Sequence, residues 1–355
     1  MKFRLTLFLL LLSSLCLGQE ANYYKEPASI YLTSRDGHQG NFDWKMCKAS
    51  EITVRSEDVS IPGLNTSNWM PAIVPGTVLN SLVYNKVYPE PYYGLNNKIE
   101  KDIIPDLAQV GRDFYTYWFR TEFNLPENYK GKRIWMLVKG INYRAEIWVN
   151  GNLVGNMAGM FRPDYIDITD FAKTGATNAL AIKVYPIDIP GGTKTKSWGA
   201  ANGEYRNGGD GNIGLNVTML MSAGWDFTFN DGIRDRNTGI WKDVQIFTTG
   251  DVTLRYPFVK SQLSHPFFDK ARETVSVEVH NPMHGTVKCT VKGEITGENI
   301  RFSKDVALFG GETRNVIFTP DEFPQLVVNN PRLWWPRNKG KQELYELKLT
   351  AEVNG

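Results

Sequence analysis

The chain has 355 residues, 42% hydrophobic and 22% charged, with 40 basic against 38 acidic side chains. That length is enough for two or three domains. The near-zero balance and the lack of any long basic block exclude nucleic acid as an electrostatic partner.

The first 18 residues read as a targeting segment. Lys2 and Arg4 precede the apolar run "LTLFLLLLSSLCLG", and Cys16 and Gly18 occupy the −3 and −1 positions of a cut before Gln19. This is the secretory pattern, and the run is too short for a comfortable membrane span. The expectation is a secreted or periplasmic protein with no membrane span. Lipid anchoring at Cys16 ranks second, because Leu15 is bulky where such a site needs a small residue. Removing residues 1–18 leaves 38 basic against 38 acidic side chains. Cys47 and Cys289 remain. Their spacing demands no disulfide, and two buried thiols are expected.

Residues 19–355 read as nearly all β. Helical turns are expected only near "NTSNWM" (65–70) and "VPGTVLNSLVYNK" (74–86). "RIWMLVKG" (133–140) is a β-branched and aromatic run. In "YRAEIWVNG" (143–151), Ala145, Ile147 and Val149 alternate with Glu146, Trp148 and Asn150. Asn150-Gly151 then predicts a tight hairpin, because both turn positions require positive φ. "NALAIKVYP" (178–186) puts Leu180, Ile182 and Val184 on one face before Pro186 stops it. Beyond "GIWKDVQIFTTGD" (239–251) the pattern breaks and resumes. Val275, Val277 and Val279 alternate, as do Val287, Cys289 and Val291. Strands of this length with turns every 8–12 residues predict a small antiparallel sandwich. The organisation expected is a signal peptide over 1–18, one β-domain over 19–248 and a second over 249–355.

Several motif matches carry no chemistry. "GDGNIG" (209–214) fits the G-x-G-x-x-G pattern. It lacks the buried strand before it that dinucleotide binding needs, and reads as a surface loop. His280 and His284 lie four apart with Cys289 nearby, but Pro282 breaks the helix that would align them, so no metal site is expected. No cofactor is expected. The 10 Trp, 16 Tyr and 18 Phe are mostly core, although rings also stack on sugars.

In chain order, "VPGTVLNSLVYNKVYPEPYYGLN" (74–96), "FYTYWFRTEFNLP" (114–126), "VKGINYRAEIWVNGNLVG" (138–155), "DITDFAKTGATNALAIKVYP" (167–186), "GIWKDVQIF" (239–247) and "NPRLWWP" (330–336) together resemble the N-terminal part of glycoside hydrolase family 2. The resemblance implies an all-β chain: a jelly-roll sugar-binding sandwich followed by an immunoglobulin-like sandwich. In such enzymes a catalytic (β/α)₈ barrel comes next, and it would pack on both β-domains. "GWDFTFNDGIRDRNTGIW" (224–241), with "NGGDGN" upstream, resembles the exo-β-glucosaminidase and endo-β-mannosidase branch, and β-mannosidases share the Trp-Asp pair. The resemblance assigns Trp225 and Asp226 to the subsite that holds the terminal sugar of a β-linked oligosaccharide. Trp225 would pack against the ring, and Asp226 would accept hydroxyls or pair with an ammonium. Asp231, Arg234, Asp235 and Arg236 are expected to form a structural network that fixes the loop, with "GIW" returning as a core strand and Trp241 buried.

Retaining glycosidases need two carboxyl groups about 5–5.5 Å apart. The family draws them from the barrel, the acid/base preceded by Asn. This chain contains no Asn-Glu dipeptide, so no residue of it is assigned a catalytic role and the chain alone is expected to be inactive. Three readings stay open at this point: the front of a hydrolase, a stand-alone carbohydrate-binding protein, and a structural sandwich. The last would bury Trp225 and bond Asp226 to an arginine of its own loop.

Overall fold

The computed structural model describes residues 29–38, 40–97, 101–188 and 234–353. Two apolar cores lie along the chain, one drawing on Leu32 through Ile246 and one on Val252 through Leu326.

The first core fills a β-sandwich of jelly-roll type. One sheet has six strands, in the spatial order Met70–Pro71, Lys45–Lys48, Tyr117–Asn124, Thr177–Tyr185, Arg144–Val149 and Asn152–Ala158. The other has four: Ile30–Tyr31, Val244–Thr249, Arg133–Val138 and Asp164–Asp167. All pairings are antiparallel. Ala145, Ile147 and Val149 from one sheet, and Ile134, Met136 and Val138 from the other, meet in the core. This follows from the two-residue period of a strand, which sends alternate side chains to one face. The hairpin turn is the one expected: Asn150 (φ 49°) and Gly151 (φ 86°) both adopt left-handed backbone.

Thr177–Tyr185 departs from simple alternation. Leu180, Ile182 and Val184 face the core, but Ala179 and Ala181 are buried too. The outer face of this sheet is covered: Cys47, Trp69, Trp118 and Ala181 cluster there with Val59. Residues 65–70, expected as a helical turn, form only a turn closed by Trp69 N–H donating to Thr66 O at 3.0 Å. The second expected helix is present as Val78–Tyr84, capped by Thr77, whose hydroxyl accepts from Asn80 N–H. A threonine oxygen here satisfies one of the four unpaired donors at a helix start.

The second core fills a sandwich of four and three strands, an immunoglobulin-like arrangement. Thr253–Leu263, Lys270–His280 and Thr313–Phe318 pair in that order, with Val327–Asn329 also on Lys270–His280. Val287–Ile295 is the middle strand of the opposing sheet, between Ile300–Leu308 and Leu347–Val353. Val275, Val277, Val279, Val291, Leu308 and Phe318 make the interior. Both remaining cysteines are free thiols, buried one in each sandwich.

Aromatic rings on the outer face of the four-stranded sheet meet the start of the second sandwich. The Arg255 guanidinium lies 4.9 Å from the Trp135 ring and 4.7 Å from Tyr165. Trp135 also meets the His280 ring edge-on at 6.2 Å. Among the described residues, no helix is long and apolar enough to cross a membrane.

Candidate functional site

Trp225 and Asp226, the two residues assigned to sugar binding, lie outside the described residues, as do Asp231 and the 209–214 glycine run. The described part of the 224–241 stretch begins at Arg234, where the chain enters a buried ionic network.

Arg234, Asp235 and Arg236 are almost fully buried. Both arginines converge on one carboxylate, Asp106. Arg234 Nη1 donates to Asp106 Oδ2 at 2.9 Å. Arg236 donates twice, Nη1 to Oδ2 at 3.0 Å and Nη2 to Oδ1 at 2.9 Å. Such forked, charge-assisted pairs fix both distance and orientation. Arg234 also donates from Nη2 to the backbone oxygen of Asn97 at 2.7 Å and from Nε to its side-chain Oδ1 at 3.2 Å. Asp106 has a second task as N-cap of the helical turn Leu107–Val110, where Oδ1 accepts from Ala108 N–H.

Asp235 points the other way. Its Oδ2 accepts from Leu79 N–H in the first turn of the Val78–Tyr84 helix, and its Oδ1 accepts from Asn237 N–H, both at 2.9 Å. Burial pushes its carboxyl up to about 6, against the pull of those two amides and of Arg236. Both guanidiniums are therefore paired with Asp106, while Asp235 is buried close enough to Arg236 to feel its charge. The backbone is tied in as well. Asn142 Nδ2 donates to Arg236 O and Asn237 O, and Leu107 N–H donates to Arg234 O. Arg236 (φ 54°) and Asn237 (φ 55°) adopt left-handed backbone in this bend. Gly239 then passes so close to Gly76 O that a Cβ there would lie 2.5 Å from it.

The expected structural network is thus present in Arg234, Asp235 and Arg236, but its centre is elsewhere. Within the stretch itself, Arg236 Nη1 also donates to Arg234 O at 3.1 Å. Asp106, far upstream, receives both guanidiniums, and Asn97 receives Arg234. The only hint in the sequence was "PDLAQV" (105–110), where an aspartate precedes a helical turn. Nothing there showed that its free oxygen lone pairs would receive two arginines.

Trp241 corrects an expectation. The strand Gly239–Ile240 is two residues long, and Trp241 lies just past it, half-buried rather than in the core. Gly239–Ile240 pairs with Gly76–Thr77, and Gly239 also bridges Asn142, but neither pairing extends to Trp241. Trp241 Nε1 donates to Met160 O at 2.8 Å, its ring meets Phe161 edge-on at 5.4 Å, and the Lys242 ammonium lies 4.6 Å above it.

The metal motif also resolves into structural roles. His280 Nδ1 is 2.9 Å from Thr313 Oγ1, Cys289 faces the second core, and His284 is exposed. Among the described residues, no three His, Cys, Asp or Glu side chains converge as metal ligands would. The carboxyl groups of the ionic network are buried and hydrogen-bonded. What the network does is fix the backbone at residue 234, eight residues after Asp226.

Residues 44–242 match the family model for the glycosyl hydrolase 2 galactose-binding domain-like module, and residues 252–355 match that for glycosyl hydrolases family 2. A mannosylglycoprotein endo-beta-mannosidase of Lilium longiflorum is 34% identical over 326 residues, covering 88% of this chain and 32% of its own length. An exo-beta-D-glucosaminidase of Streptomyces avermitilis is 29% identical over 310 residues, covering 86% of this chain and 29% of its own. Among solved structures, the exo-chitosanase of Amycolatopsis orientalis superposes with a TM-score of 0.67 at 25% identity, over 92% of this chain and 32% of that one. The chain therefore spans about a third of the length of these relatives. With more than half of its residues in the galactose-binding-like match and the rest of the sandwich pair in the second, the chain belongs to glycosyl hydrolase family 2.

Proposed function

We propose that the chain is the N-terminal portion of an exported retaining glycoside hydrolase acting on β-linked mannosides or glucosaminides. Its β-domains, 19–248 and 249–355, present a surface on which a catalytic (β/α)₈ barrel packs, and the barrel supplies the two catalytic carboxyl groups. Trp225 and Asp226 line the subsite for the terminal sugar. Trp225 stacks on the ring, and Asp226 accepts from hydroxyls or pairs with an ammonium. The observation that carries this reading is the family membership of both β-domains beside relatives three times as long, named as β-mannosidase-type and exo-β-glucosaminidase enzymes. The buried Asp106–Arg234–Arg236 cluster supports it, because a sugar-contacting segment needs a rigid base close by.

The test is calorimetric titration of the 19–355 chain with mannose, glucosamine and manno- or chito-oligosaccharides, beside Asp226→Ala. Weak binding that the substitution abolishes, with no turnover of nitrophenyl β-mannoside or β-glucosaminide, is the expected result. Turnover by this chain would overturn the division of labour. Binding unchanged by Asp226→Ala would overturn the assignment of the subsite.

A further inference from the structure

A cleft of about 390 Å³ opens where the two sandwiches meet. One wall is the segment Tyr129–Ile134 of the first sandwich, and Gly250, Asp251 and Met283 close the other side. Lys130, Lys132 and Arg133 all line it. Among the described residues, neither lysine has a carboxylate partner. Arg133 is only partly satisfied. Its Nη1 pairs with Asp167. Its Nη2 donates to the Met283 thioether at 3.0 Å, and its Nε is buried with no acceptor. A thioether is a weak acceptor, and a buried donor left without a partner is rare enough in folded proteins to point to an ion or water.

The charge count narrows the ligand. Lys130, Lys132 and Arg133 stand against Asp167 and Asp251, which leaves one positive charge for a partner with one negative charge. A guanidinium fork suits a carboxylate in particular. The cleft leaves room beside the guanidinium for more than a bare ion. Its volume falls in the range, roughly 300–1,000 Å³, that holds small organic ligands. Thr174 on the lining supplies a hydroxyl that can pair with another. Thr169 and Thr249 are already engaged, the first with Asp167 and Ile134, the second with Trp135 and Gly250.

We propose that this cleft binds an acidic monosaccharide. The carboxylate takes the place of the Met283 sulfur on Arg133 and lies between the Lys130 and Lys132 ammoniums, while the ring fills the space beside Thr174. This site involves neither Trp225 nor Asp226, so it stands or falls apart from the function proposed above.

The experiment is titration of the full chain with sodium glucuronate, glucose and inorganic phosphate, at low and at high ionic strength, for the native protein and for Lys130→Ala/Lys132→Ala. Both lysines are exposed, so an unchanged melting temperature in the variant is the check on its fold. Glucuronate is expected to bind about tenfold or more tightly than glucose, to weaken by about the same factor in the variant, and to weaken with salt. Failure of glucuronate to bind, or binding that the double substitution and salt leave unchanged, overturns the site. Phosphate binding as tightly as glucuronate overturns the saccharide assignment.

Discussion

Among the described residues of the first sandwich, Asp106, Arg120, Arg234, Asp235 and Arg236 are all buried, whereas the buried polar residues of the second are Thr253 and Asn281. The difference follows what each sandwich must hold in place. In the second, Thr253–Leu263 with Lys270–His280 and Val287–Ile295 with Ile300–Leu308 pair as successive strands, and alternating apolar residues fill the core. Asn281 is a buried polar anchor there, donating to the backbone oxygens of Gly285, Leu308 and Phe309. In the first, long segments without regular structure lie against the sheets. Arg120 pins one of them through Val59 O and Ile61 O, and Asp106 pins two others through Arg234, Arg236 and its own cap. Irregular chain has backbone groups that no ladder satisfies, so side chains must do it.

Asp106 is where this contrast is most easily broken. Asp106→Ala removes the carboxylate that two buried guanidiniums share. It is expected to cost roughly 3–5 kcal/mol, the range for removing one partner of a buried pair. Leu308→Ala in the second core is expected to cost a similar amount, roughly 2–5 kcal/mol, by leaving a cavity. The two losses should differ in kind. Replacing Asp106, Arg234 and Arg236 together with leucine and methionines should recover most of the first, because apolar side chains of similar volume often match a buried ion cluster. Urea unfolding of the variants measures both. A loss below about 1 kcal/mol for Asp106→Ala would mean the network is not what holds the first sandwich's connectors.

Asp235 sharpens the comparison through pH. Its folded carboxyl titrates at about 6, above the unfolded value of 3.8. The folded state therefore binds the proton more tightly. The stability this provides is full below about pH 4 and is lost as pH rises through about 6, to the extent of roughly 2–3 kcal/mol. Asp235→Asn cannot titrate. The stability of the native chain minus that of the variant should fall across this window, and a flat difference would remove Asp235 as a buried titrating group.

How far this was legible in the sequence depends on the range of the interaction. Period-two alternation at Ala145–Val149 and Val275–Val279, the Asn150-Gly151 hairpin and the Val78–Tyr84 helix are local, and each lies where the residues placed it. The helical turn expected at 65–70 did not form, because that strap lies over the six-stranded sheet and is positioned by Trp69 and by Arg120 rather than by its own propensity. Trp241 was misplaced because "GIW" reads as one core strand, and nothing local reveals that the strand stops after two residues. Asp106 was invisible as a network centre, because its partners are more than a hundred residues away and one carboxylate looks like any other in sequence. Trp225 and Asp226 rest on family resemblance and lie outside the described residues.

The smallest effect is expected where the second sandwich does carry charge. Lys292 and Glu352 pair at 2.5 Å across neighbouring strands on the outer face of its three-stranded sheet, each about half exposed, and Arg301 pairs with Glu294 nearby. These charges never leave water. Forming the pair recovers little desolvation, and ordering two long side chains opposes it. Lys292→Ala should therefore change unfolding free energy by no more than about 0.5 kcal/mol, and high salt should remove even that. A loss approaching that of Asp106→Ala would mean that charge matters equally in both sandwiches. The contrast between a sandwich pinned by buried ions and one closed by alternation would then fail at its weaker end, where burial could no longer account for the difference.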